Sequence, residues 1–226
     1  MPLDVISGCA LGIWVGARHA LEPDHLAAVS TLVADRPSAR SAALLGAAWG
    51  LGHTVALLGV GLALLGLRAE LPAGAARGAE LLVAAMLVFL GARNLARAFA
   101  AGRGPMIAHR HGALSHRHPA AVAAHVHLGP RPLALRPLIV GVVHGLAGSG
   151  ALTALALSGM PTTASAVIFM ALFGLGSVAG MTAISSLAGA SLHRVLRGPR
   201  SQTWLTATTG VFSLAVGVLW AGAALS

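Results

Sequence analysis

The chain contains no lysine, one cysteine and few charges of any kind, and each shortage closes off a class of function. Without lysine the phosphate-binding pattern G-x-x-x-x-G-K-[ST] cannot occur, so nothing in the sequence reads as a nucleotide-driven motor. With Cys9 alone, neither an intramolecular disulfide nor a thiolate metal cluster can form within one chain. Any metal site must use imidazole, carboxylate or backbone oxygen. Charged residues make up 9% of the chain against 56% apolar, and the mean hydropathy of +0.81 lies above what a water-soluble domain tolerates. The formal charge of +9 does not mark a nucleic-acid binder, because all fifteen basic residues are arginines set between long apolar runs. The opening Met1-Pro2-Leu3-Asp4 lacks the basic start of a signal peptide, so the first apolar stretch is expected to remain in the mature protein.

What is abundant is apolar sequence of membrane-spanning length. A crossing helix needs about 20 mainly apolar residues, and six segments qualify: Leu3 to Val33, Ser41 to Leu67, Ala79 to Ala101, Leu133 to Leu157, Ala164 to Leu192 and Thr203 to Leu225. Breaks fall at Asp35-Arg36-Pro37-Ser38, Pro72-Ala73-Gly74, Met160-Pro161-Thr162 and Arg197-Gly198-Pro199-Arg200, with one long His-, Arg-, Pro- and Gly-rich linker from Gly102 to Pro132. The expected fold is therefore an all-α integral membrane protein of six transmembrane helices. Arginines concentrate in the first, third and fifth loops, whereas the opposite side has only Arg68 and Arg77. Positive loops stay cytoplasmic. This places the chain in the cell (inner) membrane with both termini outside the cytoplasm and the histidine-rich loop inside.

Ionisable groups at membrane depth cost roughly 2.5 to 3.5 kcal/mol each on insertion scales, and their presence points to function. The first span carries Arg18-His19-Ala20-Leu21-Glu22-Pro23-Asp24-His25 in its middle, the second carries His53 and the fourth His144. Imidazole and carboxylate together suit a borderline divalent cation such as nickel, cobalt or zinc over calcium or magnesium. His19, Glu22, Asp24, His25, His53 and His144 are thus the candidate metal residues. His144 taken alone reads equally as a hydrogen-bonding core histidine, and Glu22 either joins the metal or neutralises Arg18 four residues before it. On an ideal helix His19 and His25 lie about 120° apart. Pro23 removes the N–H that the His19 carbonyl would receive and clashes with that carbonyl. A kinked or unwound turn is expected, bringing His19, Asp24 and His25 together and freeing a carbonyl, as broken helices do in transporters. Arg93 and Asn94, near the inner end of the third span, are given no function.

Six of the eleven histidines lie in the long loop, as His109-Arg110-His111, His116-Arg117-His118 and His125-Val126-His127. Paired at i, i+2 in a flexible polar segment, they read as a low-affinity metal sponge accessory to the membrane site.

The halves also match. Gly16-Ala17-Arg18-His19-Ala20-Leu21 aligns with Gly141-Val142-Val143-His144-Gly145-Leu146, and Gly50-Leu51-Gly52-His53 with Gly174-Leu175-Gly176-Ser177; 34 positions separate His19 from His53, and 33 separate His144 from Ser177. A three-helix unit repeated once must invert its second copy, a common plan for secondary transporters. The expected organisation is a first repeat at 1–101, a cytoplasmic loop at 102–132 and a second repeat at 133–226. In it Ser177 leaves space or holds water opposite His53.

These residues resemble the nickel-cobalt transporter family and its six-helix relatives described as urease-accessory membrane proteins. The signature H-x-x-x-x-D-H is met by His19, Asp24 and His25, and a second, Leu-Gly-His followed by a small hydroxyl residue, is similar to Leu51-Gly52-His53-Thr54. Glu22 and Pro23 depart from the aspartate and alanine usual at those places. The resemblance implies that these residues bind or gate the metal, with nickel or cobalt transported as substrate, no resident cofactor, and a metallochaperone or urease-maturation protein as a partner. Uptake is favoured, efflux is the alternative, and a membrane-embedded metalloenzyme is a further one that lacks support, since no histidine is followed by glutamate as in H-E-x-x-H.

Overall fold

The computed structural model describes residues 3–34, 38–101, 106–111, 114–119, 132–195 and 199–226. Among them are seven helices: α1 (Leu3–His19), α2 (Pro23–Val33), α3 (Ala39–Leu67), α4 (Ala73–Ala101), α5 (Pro132–Gly159), α6 (Thr163–Val195) and α7 (Pro199–Leu225). Five of them, α3 to α7, are long and apolar enough to cross a membrane, with mean hydropathies from 1.6 to 2.1 over their most apolar windows. That is the make-up of a multi-pass membrane protein.

The stretch at 3–33, expected as one span interrupted by a kinked or unwound turn at Pro23, is two helices joined by such a turn, because the residue before a proline is pushed out of the α region and proline itself sits well at the first position of a new helix. Glu22 accordingly adopts an extended conformation (φ −63°, ψ 147°) and Pro23 opens α2. The break expected at Pro72-Ala73-Gly74 lies slightly earlier, between Leu67 and Ala73, and the following helix starts ahead of the Ala79 expected for the third span. There α4 starts directly after Pro72, whose carbonyl accepts from the N–H groups of Ala75 and Ala76 at 2.8 and 3.0 Å. Proline before a run of good helix formers starts a helix as readily as it ends one. In the long linker, expected as a flexible polar segment, the described residues form a short antiparallel pair of strands, β1 (Met106–His111) and β2 (Leu114–Pro119), beside the otherwise all-α fold. His125 and His127 lie outside the described residues.

Close backbone approach organises the bundle. Association between apolar helices in lipid relies on small residues at the contact, and four of the closest approaches are made at glycines with no room for a side chain. A Cβ on Gly16 would run into the carbonyl of Phe173, and one on Gly141 into the carbonyl of Trp49. Likewise a Cβ on Gly176 would strike the carbonyl of Ile13, and one on Gly52 that of Leu138. Thus α1 lies on α6 as α5 lies on α3, while α3 and α6 pack on each other and α4 packs on α7. The short α2 reaches α7, as α5 reaches α4. Buried Asn94 on α4 ties in α2, donating from Nδ2 to the Thr31 carbonyl at 3.3 Å.

Candidate metal centre

The break between α1 and α2 delivers the polar residues. Leaving α1, the chain makes a tight turn in which the Leu21 N–H donates to the Arg18 carbonyl (2.9 Å) and the Glu22 N–H to the His19 carbonyl (3.0 Å). The carbonyl expected to be freed by Pro23 is therefore occupied, since the helix ends ahead of the proline and tightens its last turn. The turn also cancels the angular separation of an unbroken helix. The rings of His19 and His25 have centroids 4.4 Å apart, and the ring of His53, from α3, lies 5.2 Å from each. His144, from α5, joins on the far side of His25 at 4.5 Å.

Two carboxylates hold this group. Asp24 has both oxygens engaged: Oδ1 lies 3.0 Å from Nδ1 of His25 and accepts the His25 backbone N–H at 2.9 Å, and Oδ2 lies 3.0 Å from Nε2 of His144. Glu22 places Oε1 2.8 Å from Nδ1 of His19. Of the two readings of Glu22, pairing with Arg18 is not what forms; the Arg18 guanidinium instead lies over the Trp14 ring, 5.9 Å from its centroid. Asp24, His25, His53 and His144 are buried, whereas Glu22 is half exposed.

Buried polar atoms normally find a partner, and those that do not require an explanation. Nε2 of His19, Nε2 of His25 and both ring nitrogens of His53 have none, nor has Nδ1 of His144. Nitrogens of His19, His25 and His53 lie within 4.8 Å of one another, close enough to share one cation. A second set, Asp24, His25 and His144, meets the same limit, but there the Asp24 and His144 atoms already satisfy each other. The first set has the arrangement typical of ligating histidines, in which the far nitrogen is held by a carboxylate that fixes the tautomer and raises the basicity of the near one. His19 is held in this way by Glu22 and His25 by Asp24.

All six candidate residues come together, but Ser177 does not take the part expected of it. Its hydroxyl donates to the Gly16 carbonyl at 3.2 Å and so binds α6 to α1. Thr54, beside His53, makes a comparable link from α3, donating to the Gly174 carbonyl at 3.0 Å. Two aromatic walls were absent from the sequence reading. Trp49 is buried with its ring 5.4 Å from His25 and 5.9 Å from His144, and Phe173 lies 5.3 Å from His19. A signal existed for both. Trp49 precedes His53 by four positions, one helical turn on the same face, and Phe173 stands where the aligned second half matches Trp49.

No family model matches the chain, and no solved structure does. It is similar to the urease accessory protein UreH of Bacillus sp. (strain TB-90), with 28% identity over 216 residues that cover 96% of this chain and 91% of that one. The similarity thus runs nearly end to end, and it is to an accessory protein, not to an enzyme.

Proposed function

We propose that this chain is a secondary permease that moves Ni2+ or Co2+ across the cell membrane, in the direction of uptake. The observation that carries the reading is the set of buried, unpartnered imidazole nitrogens of His19, His25 and His53, gathered at a helix break in the interior of an apolar bundle. Neutral imidazoles favour borderline transition metals over magnesium and calcium. Discontinuous helices with a polar site between them are a recurring feature of transporters. In this account His19, His25 and His53 receive the ion, Glu22 and Asp24 orient the imidazoles, and His144 steadies Asp24 from the second half of the chain.

The turn at 20–22 supports reading α1 and α2 as two parts of one crossing, which with α3 to α7 would give six. The matched glycine contacts of α1 on α6 and α5 on α3 support two inverted three-helix repeats. The placing of arginines supports a cytoplasmic histidine-rich loop. The name of the similar protein supports a place in supplying metal for urease maturation, with a metallochaperone or maturation protein receiving it, and this favours uptake over efflux. Cells expressing the chain should accumulate Ni2+ above cells that lack it. Lowered accumulation would make the protein an exporter.

A further inference from the structure

Two apolar clusters close off the imidazole group toward opposite ends of the bundle. Helices α3 and α6 run antiparallel: Gly46 of α3 lies against Met181 and Ser185 of α6, Gly50 against Val178, and Gly61 against Met170. His53 stands at the midpoint of α3. From it toward Ala39, the buried residues Trp49, Leu45 and Ala42 follow one another turn by turn and cluster with Met181 and with Val33 of α2. Toward Leu67, Leu57 clusters instead with Phe169, Met170 and Phe173 of α6 and Leu152 of α5. Trp49 and Phe173, the two aromatic walls of the site, thus belong to different plugs. A cation held between them leaves by parting one of them, since apolar side chains replace neither its ligands nor its water.

The plugs differ in how well their polar atoms are satisfied. Outside the imidazoles, the buried side-chain polar atoms without a partner among the described residues are Nε1 of Trp49 and Oγ of Ser185. Both belong to the Ala39 end, Trp49 within the plug and Ser185 beside it, buried on α6 where Gly46 approaches. At the other plug the hydroxyl of Thr153, which lies with Met170 against Gly61, donates to the Ser149 carbonyl at 2.7 Å. A buried donor or acceptor with no partner carries the cost of its lost hydration. An indole N–H donates and cannot ligate a cation, so the partner that fits it is water. Entry of water therefore relieves the Trp49 plug and brings no such gain to the Phe173 plug.

We propose that the Trp49 plug is the gate through which the ion leaves the imidazole site, between α3 and α6 toward Ala39 and Val195, with Trp49 and Ser185 meeting water in the open state. This inference rests on the transport reading and deepens it by naming the way out. The Ala39 and Val195 ends adjoin the loops that carry Arg36, Arg40, Arg194, Arg197 and Arg200. In the proposed orientation, release there is release to the cytoplasm, as uptake requires.

Cys9 is the one native cysteine, so a Cys9→Ser background allows Ser185→Cys to be labelled alone. The probe is a membrane-impermeant, cationic thiosulfonate reagent, applied with Ni2+ to right-side-out and to inverted membrane vesicles that hold the full-length protein. Ser185→Cys should be modified from the cytoplasmic face alone, at least about tenfold faster than Leu175→Cys, because a thiol in apolar surroundings stays protonated and unreactive. Leu175 serves as the control because it faces outward from the same helix. Ser185→Ala removes the unpaired hydroxyl and should favour the closed plug, slowing Ni2+ flux about fivefold or more while Ni2+ affinity stays unchanged. Labelling does not require flux, so the two readings fail separately: no Ni2+ flux with the unaltered protein would remove the transport reading, whatever the labelling shows. An unlabelled Ser185→Cys in protein that still carries Ni2+, labelling from the outer face, or undiminished flux in Ser185→Ala would overturn the gate.

Discussion

Nε2 of His144 lies 3.0 Å from Oδ2 of Asp24, a residue 120 positions earlier in the chain. Through Asp24 it is coupled to His25, so in the proposed site the second half of the protein would help to position a residue that the first half supplies. It follows that His144→Ala should weaken metal binding by about 10–100-fold, the usual effect of losing an orienting partner, whereas His53→Ala should remove binding altogether. Ni2+ titration of the two variants separates these outcomes. Equal severity would move the ion toward the Asp24, His25 and His144 set.

Glu22 accepts from a ring nitrogen of His19 while half exposed, which makes its contribution separable from charge. Glu22→Gln retains an acceptor and should keep Ni2+ affinity within about tenfold of the original, whereas Glu22→Ala should lose about 10–100-fold. If the carboxylate bound the ion directly, both variants would fail alike. The comparison is made by the same titration at one pH.

Much of this centre was legible in the sequence because polar residues stand out in an apolar chain: His19, Asp24, His25, His53 and His144 could be picked out from cost alone, and Pro23 marked the break. Other parts were hidden for physical reasons. Whether proline kinks a helix or starts one depends on the residue before it, and the extended Glu22 decides for a start. The choice of Glu22 between Arg18 and His19 is made by the tight turn, which spacing on an ideal helix does not describe. Strand pairing at 106–119 was masked by composition, since a His- and Arg-rich stretch reads as a solvated linker until its register is known. Trp49 and Phe173 were passed over because aromatic residues in a membrane chain are unremarkable unless the polar group they enclose is already in view.

The glycine contacts make a paired prediction about the two halves. Gly52→Ala and Gly176→Ala should each destabilise the protein by about 1–3 kcal/mol, the cost of overpacking a fitted contact, because a Cβ at either site meets a neighbouring carbonyl. Gly59, on the same helix as Gly52, has open space around it, and Gly59→Ala should be neutral or slightly stabilising. Thermal unfolding in detergent measures all three. A large difference between Gly52→Ala and Gly176→Ala would argue against equivalent halves.

Replacing all six loop histidines, from His109 to His127, should shift the concentration dependence of transport while leaving the maximal flux largely intact. A loop outside the helices can raise the local concentration of ions without forming their path. The readout is initial flux over a range of Ni2+ concentrations. Loss of flux at saturation, with normal insertion, would place the loop in the path itself.

Flux in proteoliposomes tests the central claim most directly, with Ni2+, Co2+, Zn2+ and Mn2+ compared for the unaltered protein and for His19→Ala, Asp24→Ala and His25→Ala. The account predicts entry of Ni2+ or Co2+ with the unaltered protein and none above protein-free vesicles with each variant, although all insert normally. Undiminished flux in any two of the variants, or no flux of any of the four ions with the unaltered protein, would contradict it.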